Sequence, residues 1–298
     1  MNFVVLFPIA WVIIKGSNLY GAWRHLLFVY PAFAILSACS WDELLRLKKS
    51  IILKMSLAGF ILIGLAGPLV HIIKYHPVEY LYFNKFVGGV SGAFDKYETD
   101  YYYHSLGPAT KWLKEYLNEN EAGKTLIVAS NFPPEPYFKN DPGIIPRYTH
   151  YFSRAKIDWD YGIFVNTFLG PDYLNSQNWP PDHNIFNIEI DGKVICTIIK
   201  RASKADLEGI NLYRNQDYEG AIEKLKSALA VDPQNETAQL YLGWAYNQSG
   251  DLASSDDCIN KLLDQQPMND MARDLGGRNK IAQGEFESAL ETFQILLK

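Results

Sequence analysis

The sequence predicts a multi-domain protein: α-helical membrane spans, then a small extracytoplasmic α/β domain, then an all-α solenoid. Three observations predict this fold class. The N-terminal part is apolar over long runs, the middle mixes one helical pattern with short strand patterns, and the C-terminal part repeats every 34 residues. We place the spans in residues 1–73, an aromatic and Gly-rich membrane juncture in 74–104, the α/β domain in 105–201 and the repeats in 202–298.

Charge is distributed unevenly along the 298 residues. Residues 1–201 carry 19 basic and 17 acidic side chains, whereas residues 202–298 carry 9 and 16 and are therefore acidic. An acidic C-terminal part without an arginine-rich stripe argues against nucleic acid as a partner. Cys39, Cys196 and Cys258 are scattered and form no CxxC pair, which argues against a disulfide framework and a zinc site.

The N-terminal part contains about three candidate membrane spans. Residues 51–73 form a 23-residue apolar run whose only charge is Lys54, and this run is long enough to cross a bilayer. Residues 24–41 form another candidate, the second span in chain order. Residues 3–14 come first in the chain and are too short to span unaided. We expect this first span to be incomplete, with Met1 inside a helix that begins earlier.

Positive charge predicts the orientation of these spans. Arg46, Lys48 and Lys49 lie between the second and third spans, and such loops face the cytoplasm. The third span then runs outward, so residues 74–298 become extracytoplasmic. This topology describes an integral membrane protein of a bacterial inner or plasma membrane.

The segment from Tyr75 to Ser105 is rich in aromatic residues and contains Gly88, Gly89 and Gly92. Amphipathic rings favour the boundary between membrane and water. We expect the glycines to interrupt any helix and to allow close backbone approach.

The string HPVEYLYFNKFVGGVSGAFDKYETDYYYHSLGPATKWL resembles the segment after the last spans of polyprenyl-phosphate-sugar glycosyltransferases with the GT-C fold. This is family 39, which includes the dolichyl-phosphate-mannose-protein mannosyltransferases. The matching residues are Pro77, Tyr82, Phe83, Asn84, Gly88, Gly89, Asp100, Tyr101 and Ser105. The resemblance implies the C-terminal portion of an enzyme that transfers a sugar from a polyprenyl-phosphate donor to an extracytoplasmic acceptor.

The resemblance also implies where lipid phosphate or substrate would bind. Arg24 precedes a Pro-containing span, and its guanidinium would pair with a phosphate as a bidentate fork; the alternative is an interfacial arginine among lipid headgroups. The implied binding residues are Arg24, His25, His76, Tyr82, Asn84 and Asp100. The acidic set Glu79, Asp95, Glu98 and Asp100 is equally explained as solvated or structural.

No catalytic residue is assigned in this chain. The family carries its catalytic base on an early extracytoplasmic loop that this chain lacks, so we expect no activity from the chain alone. No cofactor is expected, and no ligand spacing indicates a divalent metal.

The middle part predicts a small mixed α/β domain. A helix is expected over residues 105–120, with Pro108 in its first turn, and strands over residues 125–130 and 161–168. Two further strands, at residues 185–190 and 194–199, flank Asp191-Gly192, a hairpin signal. The Pro-rich, aromatic stretch 131–159 is expected to be a long loop that faces the membrane or active site, or an irregular surface connection.

The last part contains repeats. Gly209, Gly243 and Gly277 recur at one phase of the 34-residue period. The period and the small residues indicate tetratricopeptide repeats, with helix pairs at 202–235, 236–269 and 270–298. The larger apolar residues Leu225, Tyr241, Tyr246, Phe286 and Phe293 are expected in the core rather than at contact sites. Such repeats bind a protein or peptide.

Two functional hypotheses follow. The first is a glycosyltransferase portion that contacts membrane lipid and a polyprenyl-phosphate sugar, with repeats that bind an acceptor or partner. The second is a non-catalytic, membrane-anchored repeat scaffold for protein–protein interaction.

Overall fold

The computed structural model describes residues 2–17, 22–47, 50–175 and 178–297. It divides into two compact units, Met1–Val70 and His71–Lys298, which are described in turn.

The first unit is helical. Its elements are α1 (Asn2–Lys15), a 3₁₀ helix (Ala22–Val29), α2 (Tyr30–Leu47) and most of α3 (Ile51–Tyr75). Among the described residues, α3 alone is long and apolar enough to cross a membrane, with 25 residues and an 18-residue stretch whose mean hydropathy is 2.1. The expected short run at residues 3–14 falls in α1, which has 14 residues.

The second expected span does not form one apolar helix. Residues 24–41 are divided between the 3₁₀ helix and α2. Pro31 lies at the second position of α2, because proline is tolerated in the first turn of a helix but lacks the amide needed further along. The remainder of α2 carries Asp42, Glu43 and Arg46, which lower its hydropathy. The expectation of several spans is thus reduced to one candidate.

The second unit begins with a mixed five-stranded sheet. Its strands are β1 (Leu126–Ser130), β2 (Ile144–Tyr148), β3 (Tyr161–Val165), β4 (Asn184–Ile190) and β5 (Lys193–Lys200). They lie in the order β2-β1-β3-β5-β4. β1 is parallel to β2 and β3, whereas β5 is antiparallel to β3 and β4. The β4–β5 hairpin turns at Asp191-Gly192, and both residues have positive φ as expected.

Short helices complete this domain. They are α4 (Gly89–Ala93), α5 (Leu106–Asn120), α6 (Glu135–Phe138), a 3₁₀ helix (Tyr151–Lys156) and α7 (Pro171–Asn175). α5 packs its apolar side, including Leu106 and Leu113, against one face of the sheet beside Ile163 and Ile198.

The opposite face of the sheet is covered by the Gly-rich juncture. Val78, Leu81, Val90 and Phe94 are buried in the same core as Phe164 of β3. The expected interruption of helical structure by glycine is only partly seen, because Gly89 and Gly92 both lie within α4. The juncture is therefore a packed part of the α/β domain.

Six helices form the repeat region. They are α8 (Ala205–Arg214), α9 (Tyr218–Val231), α10 (Glu236–Ser249), α11 (Leu252–Gln265), α12 (Asp270–Ala282) and α13 (Phe286–Leu296). Side chains of Asp217, Asn235, Asp251 and Asn269 accept a backbone N–H three residues ahead and so begin four of these helices. The pairs α8–α9, α10–α11 and α12–α13 correspond to the three predicted repeats.

Candidate functional site

Two of the six predicted binding residues lie in the first unit. Arg24 falls within the 3₁₀ helix Ala22–Val29, but its side chain lies outside the described residues. His25 follows it and is exposed.

His76 and Tyr82 lie just after α3. The exposed His76 pairs through Nδ1 with Glu79 Oε1 at 3.2 Å. A backbone amide hydrogen bond, and then His76, lower the pKa of Glu79 below its usual value. The Tyr82 ring, 41% exposed, meets the buried His71 ring edge-on at 5.2 Å. Tyr82 thus packs on a neighbouring ring while part of its own surface remains exposed to solvent.

Asn84 organises the turn that follows. Its Oδ1 accepts the backbone N–H groups of Phe86 at 3.0 Å and Val87 at 3.2 Å. Its carbonyl accepts the N–H of Gly89 at 3.1 Å. Asparagine favours such turns because its side chain replaces a backbone acceptor.

Asp100 is fully buried, and its carboxylate accepts hydrogen bonds from the two residues that precede α5. Its Oδ1 accepts the His104 N–H at 2.8 Å, and its Oδ2 accepts the Ser105 N–H at 3.1 Å together with the Ser105 hydroxyl. These bonds satisfy backbone donors that precede the helix. Two residues of the resemblance, Asp100 and Ser105, are thus joined directly.

Within the second unit, the described contacts bring none of the four predicted residues there against another. His76, Tyr82, Asn84 and Asp100 each serve a local turn, pair or ring contact. Their roles toward a lipid phosphate or a sugar stay predictions. Among the residues that the structure describes, no group of three or more His, Cys, Asp or Glu side chains is placed to hold a metal ion.

A second cluster lies on the first helices of the repeats. Tyr213 of α8 contacts Tyr241 of α10 edge-on, with ring centroids 5.4 Å apart, and stacks beside Trp244 at 6.1 Å. Tyr241 and Trp244 meet edge-on at 5.0 Å. Tyr213 and Trp244 are half-buried, so each offers part of a ring to a ligand.

Two cations accompany these rings. Arg278 of α12 is exposed and pairs through Nε with Asp274 of the same helix at 2.7 Å, and its charge also acts weakly on Tyr213. Lys156 Nζ, at the end of the 3₁₀ helix Tyr151–Lys156, lies 5.8 Å from the centroid of the Tyr241 ring. We call Tyr213, Tyr241, Trp244 and Arg278 the aromatic stripe, which joins the first helices of all three repeats.

The 3₁₀ helix Tyr151–Lys156 also packs into the repeats. Arg154 is 2% exposed and bonds through Nη1 to Glu236 Oε2 at 3.1 Å, with Asp232 at 3.6 Å. Thr237 donates its hydroxyl to the Phe152 carbonyl, and Ala155 is buried in the repeat core. The chain itself therefore occupies the N-terminal end of α10 and borders the aromatic stripe at Tyr241.

A family model of the tetratricopeptide repeat matches residues 212–278. The match includes the aromatic stripe from Tyr213 to Arg278 and confirms the predicted repeats over this part of the chain. No curated protein matches the sequence. Tetratricopeptide repeats indicate protein–protein interaction, because stacked helix pairs create an extended surface for a polypeptide.

Sequence reasoning missed most of the aromatic stripe. It expected Tyr241 in the core, where the residue is indeed buried, but it did not single out Tyr213 or Trp244. The repeat phase places Trp244 and Arg278 at equivalent positions, 34 residues apart. The same phase also holds Ile210, which is fully buried, so the period alone did not distinguish a contact surface from the core.

Proposed function

We propose that this protein is a membrane-anchored binding module whose tetratricopeptide repeats hold a peptide segment of a partner protein. The aromatic stripe carries the proposal. It is partly exposed, it crosses all three repeats, and it combines large ring surfaces with the Arg278 guanidinium. Aromatic and arginine side chains dominate binding energy at protein interfaces.

The anchor in this proposal is α3. It is 25 residues long and mostly apolar, and its exposed apolar side chains suit lipid better than water. Arg46, Lys48 and Lys49 precede it, so by the positive-inside rule residues 74–298 are extracytoplasmic. The partner is then a protein outside the cytoplasm, in a periplasm or at a cell surface.

A peptide selection tests the binding function. The full chain in phospholipid nanodiscs is used to select binders from a displayed random peptide library, and their affinities are measured by fluorescence anisotropy. We expect Trp244→Leu and Arg278→Ala each to weaken the selected peptides about tenfold or more, as loss of an interface anchor does. The prediction of Phe286 in the core is wrong, because its side chain is 68% exposed on α13. Since it also lies outside the stripe, Phe286→Ala is the matched control. Equal binding to all variants, or no selected peptide, would contradict the proposal.

The second candidate function is a part in sugar transfer from a polyprenyl-phosphate donor. The observation in its favour is that residues of the resemblance act together: Asn84 forms the turn that leads into Gly88 and Gly89, and Asp100 joins Ser105. Under this proposal Arg24 binds the lipid phosphate, and the repeats hold the acceptor.

Binding of a polyprenyl-phosphate mannose to the chain in nanodiscs tests this candidate. Arg24→Ala is expected to weaken binding, because a bidentate contact to phosphate is lost. Lys54→Ala is the control. It removes a positive charge near the start of residues 51–73, which the predicted topology places on the membrane side opposite to Arg24. Unchanged binding in the Arg24 variant would remove the assignment.

A further inference from the structure

The turn that contains Phe86 is built as a rigid support. Asn84 bonds to the backbone of Phe86, Val87 and Gly89, and Gly88 and Gly89 have φ of +92° and +68°. Such φ values favour glycine. Gly92 approaches this turn so closely that an added Cβ would lie 2.1 Å from the Val87 carbonyl oxygen. These contacts fix residues 84–92 in one conformation.

This support presents a large apolar side chain to solvent. Phe86 has a relative exposure of 102%, and the adjacent Val87 is also exposed. A phenylalanine left in water forgoes the free energy that burial of its apolar ring would supply. Several contacts hold this turn in a conformation that directs Phe86 outward. We therefore expect an apolar environment to surround that ring.

One carboxylate ties this turn to the end of α3. Asp191, in the β4–β5 turn, accepts the Tyr75 hydroxyl through Oδ1 at 2.9 Å and the Val90 N–H through Oδ2 at 3.0 Å. Tyr75 is the last residue of α3, and Val90 lies four residues after Phe86. The turn therefore lies beside the end of the apolar helix.

The surroundings of Phe86 have the composition of a membrane interface. Lys85 lies in the turn itself, and Lys74 lies in the last turn of α3; such cations favour the headgroup region of a membrane. Exposed tyrosines of the same segment are Tyr80, Tyr82, Tyr97, Tyr101 and Tyr102. Tyrosines are enriched where one end of a ring is in lipid and its hydroxyl is in water.

We propose that the turn Asn84–Gly89 inserts Phe86 into the headgroup region of the bilayer that α3 crosses, so that the α/β domain lies on the outer membrane surface. The partner is the phospholipid surface itself. This inference rests on the membrane anchor in the proposed function. It adds a second, non-spanning contact that fixes how the domain faces the membrane.

Nitroxide accessibility tests the inference in the full chain. Phe86→Cys, Phe286→Cys and Phe60→Cys are each made with Cys39→Ser, labelled, and placed in nanodiscs of phosphatidylethanolamine and phosphatidylglycerol. Cys196 and Cys258 are buried, and burial raises the pKa of the Cys258 thiol to about 11, so both react slowly. Oxygen concentrates in lipid, whereas nickel-EDDA stays in water, and power saturation compares the accessibility of each label to the two.

We expect the label at Phe86 to have a several-fold higher ratio of oxygen to nickel accessibility than the label at Phe286, which is a matched exposed phenylalanine. Equal ratios at the two positions would overturn the inference, and shielding of Phe86 from both reagents would replace lipid by a protein contact. Phe60 lies in α3, so a water-like ratio there would instead overturn the anchor. The two failures are thereby distinguished.

Discussion

Glu121, at the end of α5, holds three parts of the α/β domain through one carboxylate. Its oxygens lie 2.5 Å from Lys124 Nζ and 3.0 Å from Lys200 Nζ of β5, and they accept the Tyr161 hydroxyl of β3 at 2.9 Å. These hydrogen bonds, that from Lys124 first, lower the pKa of Glu121 to about 2. A carboxyl with a lowered pKa stabilises the fold while it is ionised.

The direction of the pH dependence follows from this shift. The unfolded chain titrates Glu121 near 4.5 and the folded chain near 2, so the stabilisation is complete above pH 4.5 and is lost as pH falls toward 2. We expect Glu121→Gln to lower the melting temperature at pH 7 and to have a smaller effect at pH 2.5. Thermal unfolding followed by circular dichroism at both pH values measures this. Asp158→Asn, at an exposed ion pair with Lys204, is the control. An equal loss at the two pH values would contradict the assignment.

Asp100 illustrates what sequence patterns can supply at the scale of single residues. The resemblance singled out Asp100 and Ser105 from their order and spacing, and the structure joins them by hydrogen bonds. The pattern did not distinguish a buried acceptor that begins a helix from a ligand for substrate. That distinction depends on burial by residues distant in sequence, such as Thr167, which donates to the Asp100 carbonyl at 3.0 Å.

At the scale of elements, periodic signals predicted the structure well. The repeat helices and the Asp191-Gly192 hairpin are set by local chemistry that recurs in the sequence. β2 was missed because Pro146 lies within it, and proline usually argues against a strand. β2 is an edge strand of the sheet, where a missing N–H is tolerated. Its pairing with β1 depends on the tertiary fold and cannot be predicted from the local sequence.

The repeat glycines act through close contact between paired helices. A Cβ on Gly209 of α8 would lie 2.6 Å from Leu225 Cγ of α9, and Leu225 is fully buried. We expect Gly209→Ala to lower the free energy of unfolding by about 1–3 kcal/mol through overpacking. Urea denaturation of the detergent-solubilised chain measures the change.

Gly276 provides the matched control for this substitution. It also lies within a helix, but a Cβ there would meet Ile259 Cγ2 at an ordinary 3.7 Å. Gly276→Ala is expected to be neutral or to stabilise by up to about 1 kcal/mol, because alanine favours helix. A similar loss in both variants would show that close packing is not the cause.

At the scale of the second unit, a buried ion pair joins the α/β domain to the repeats. Arg154 and Glu236 are 2% and 4% exposed. Removing one partner of a buried pair leaves an uncompensated charge, which costs about 3–5 kcal/mol. We expect Arg154→Leu to lower the melting temperature and to let protease cut between residues 200 and 205 before either part unfolds.

Limited proteolysis with mass spectrometry, together with calorimetry, tests this expectation. Arg278→Leu removes an exposed arginine that pairs with Asp274 on the same helix, so it is expected to cost less than about 1 kcal/mol. If the Arg154 and Arg278 variants behave alike, the buried pair does not couple the two parts.

The rigid connection between the sheet and the repeats limits where a ligand can be captured. Only residues 201–204 separate β5 from α8, and Arg201 is held by the Ile157 carbonyl at 2.8 Å and by Asp206. Without a flexible tether, the aromatic stripe cannot sweep through a volume as a module on a long linker does. A partner must therefore bring its segment to the place where the sheet holds the repeats, so the reach of that segment matters to binding as well as its chemistry.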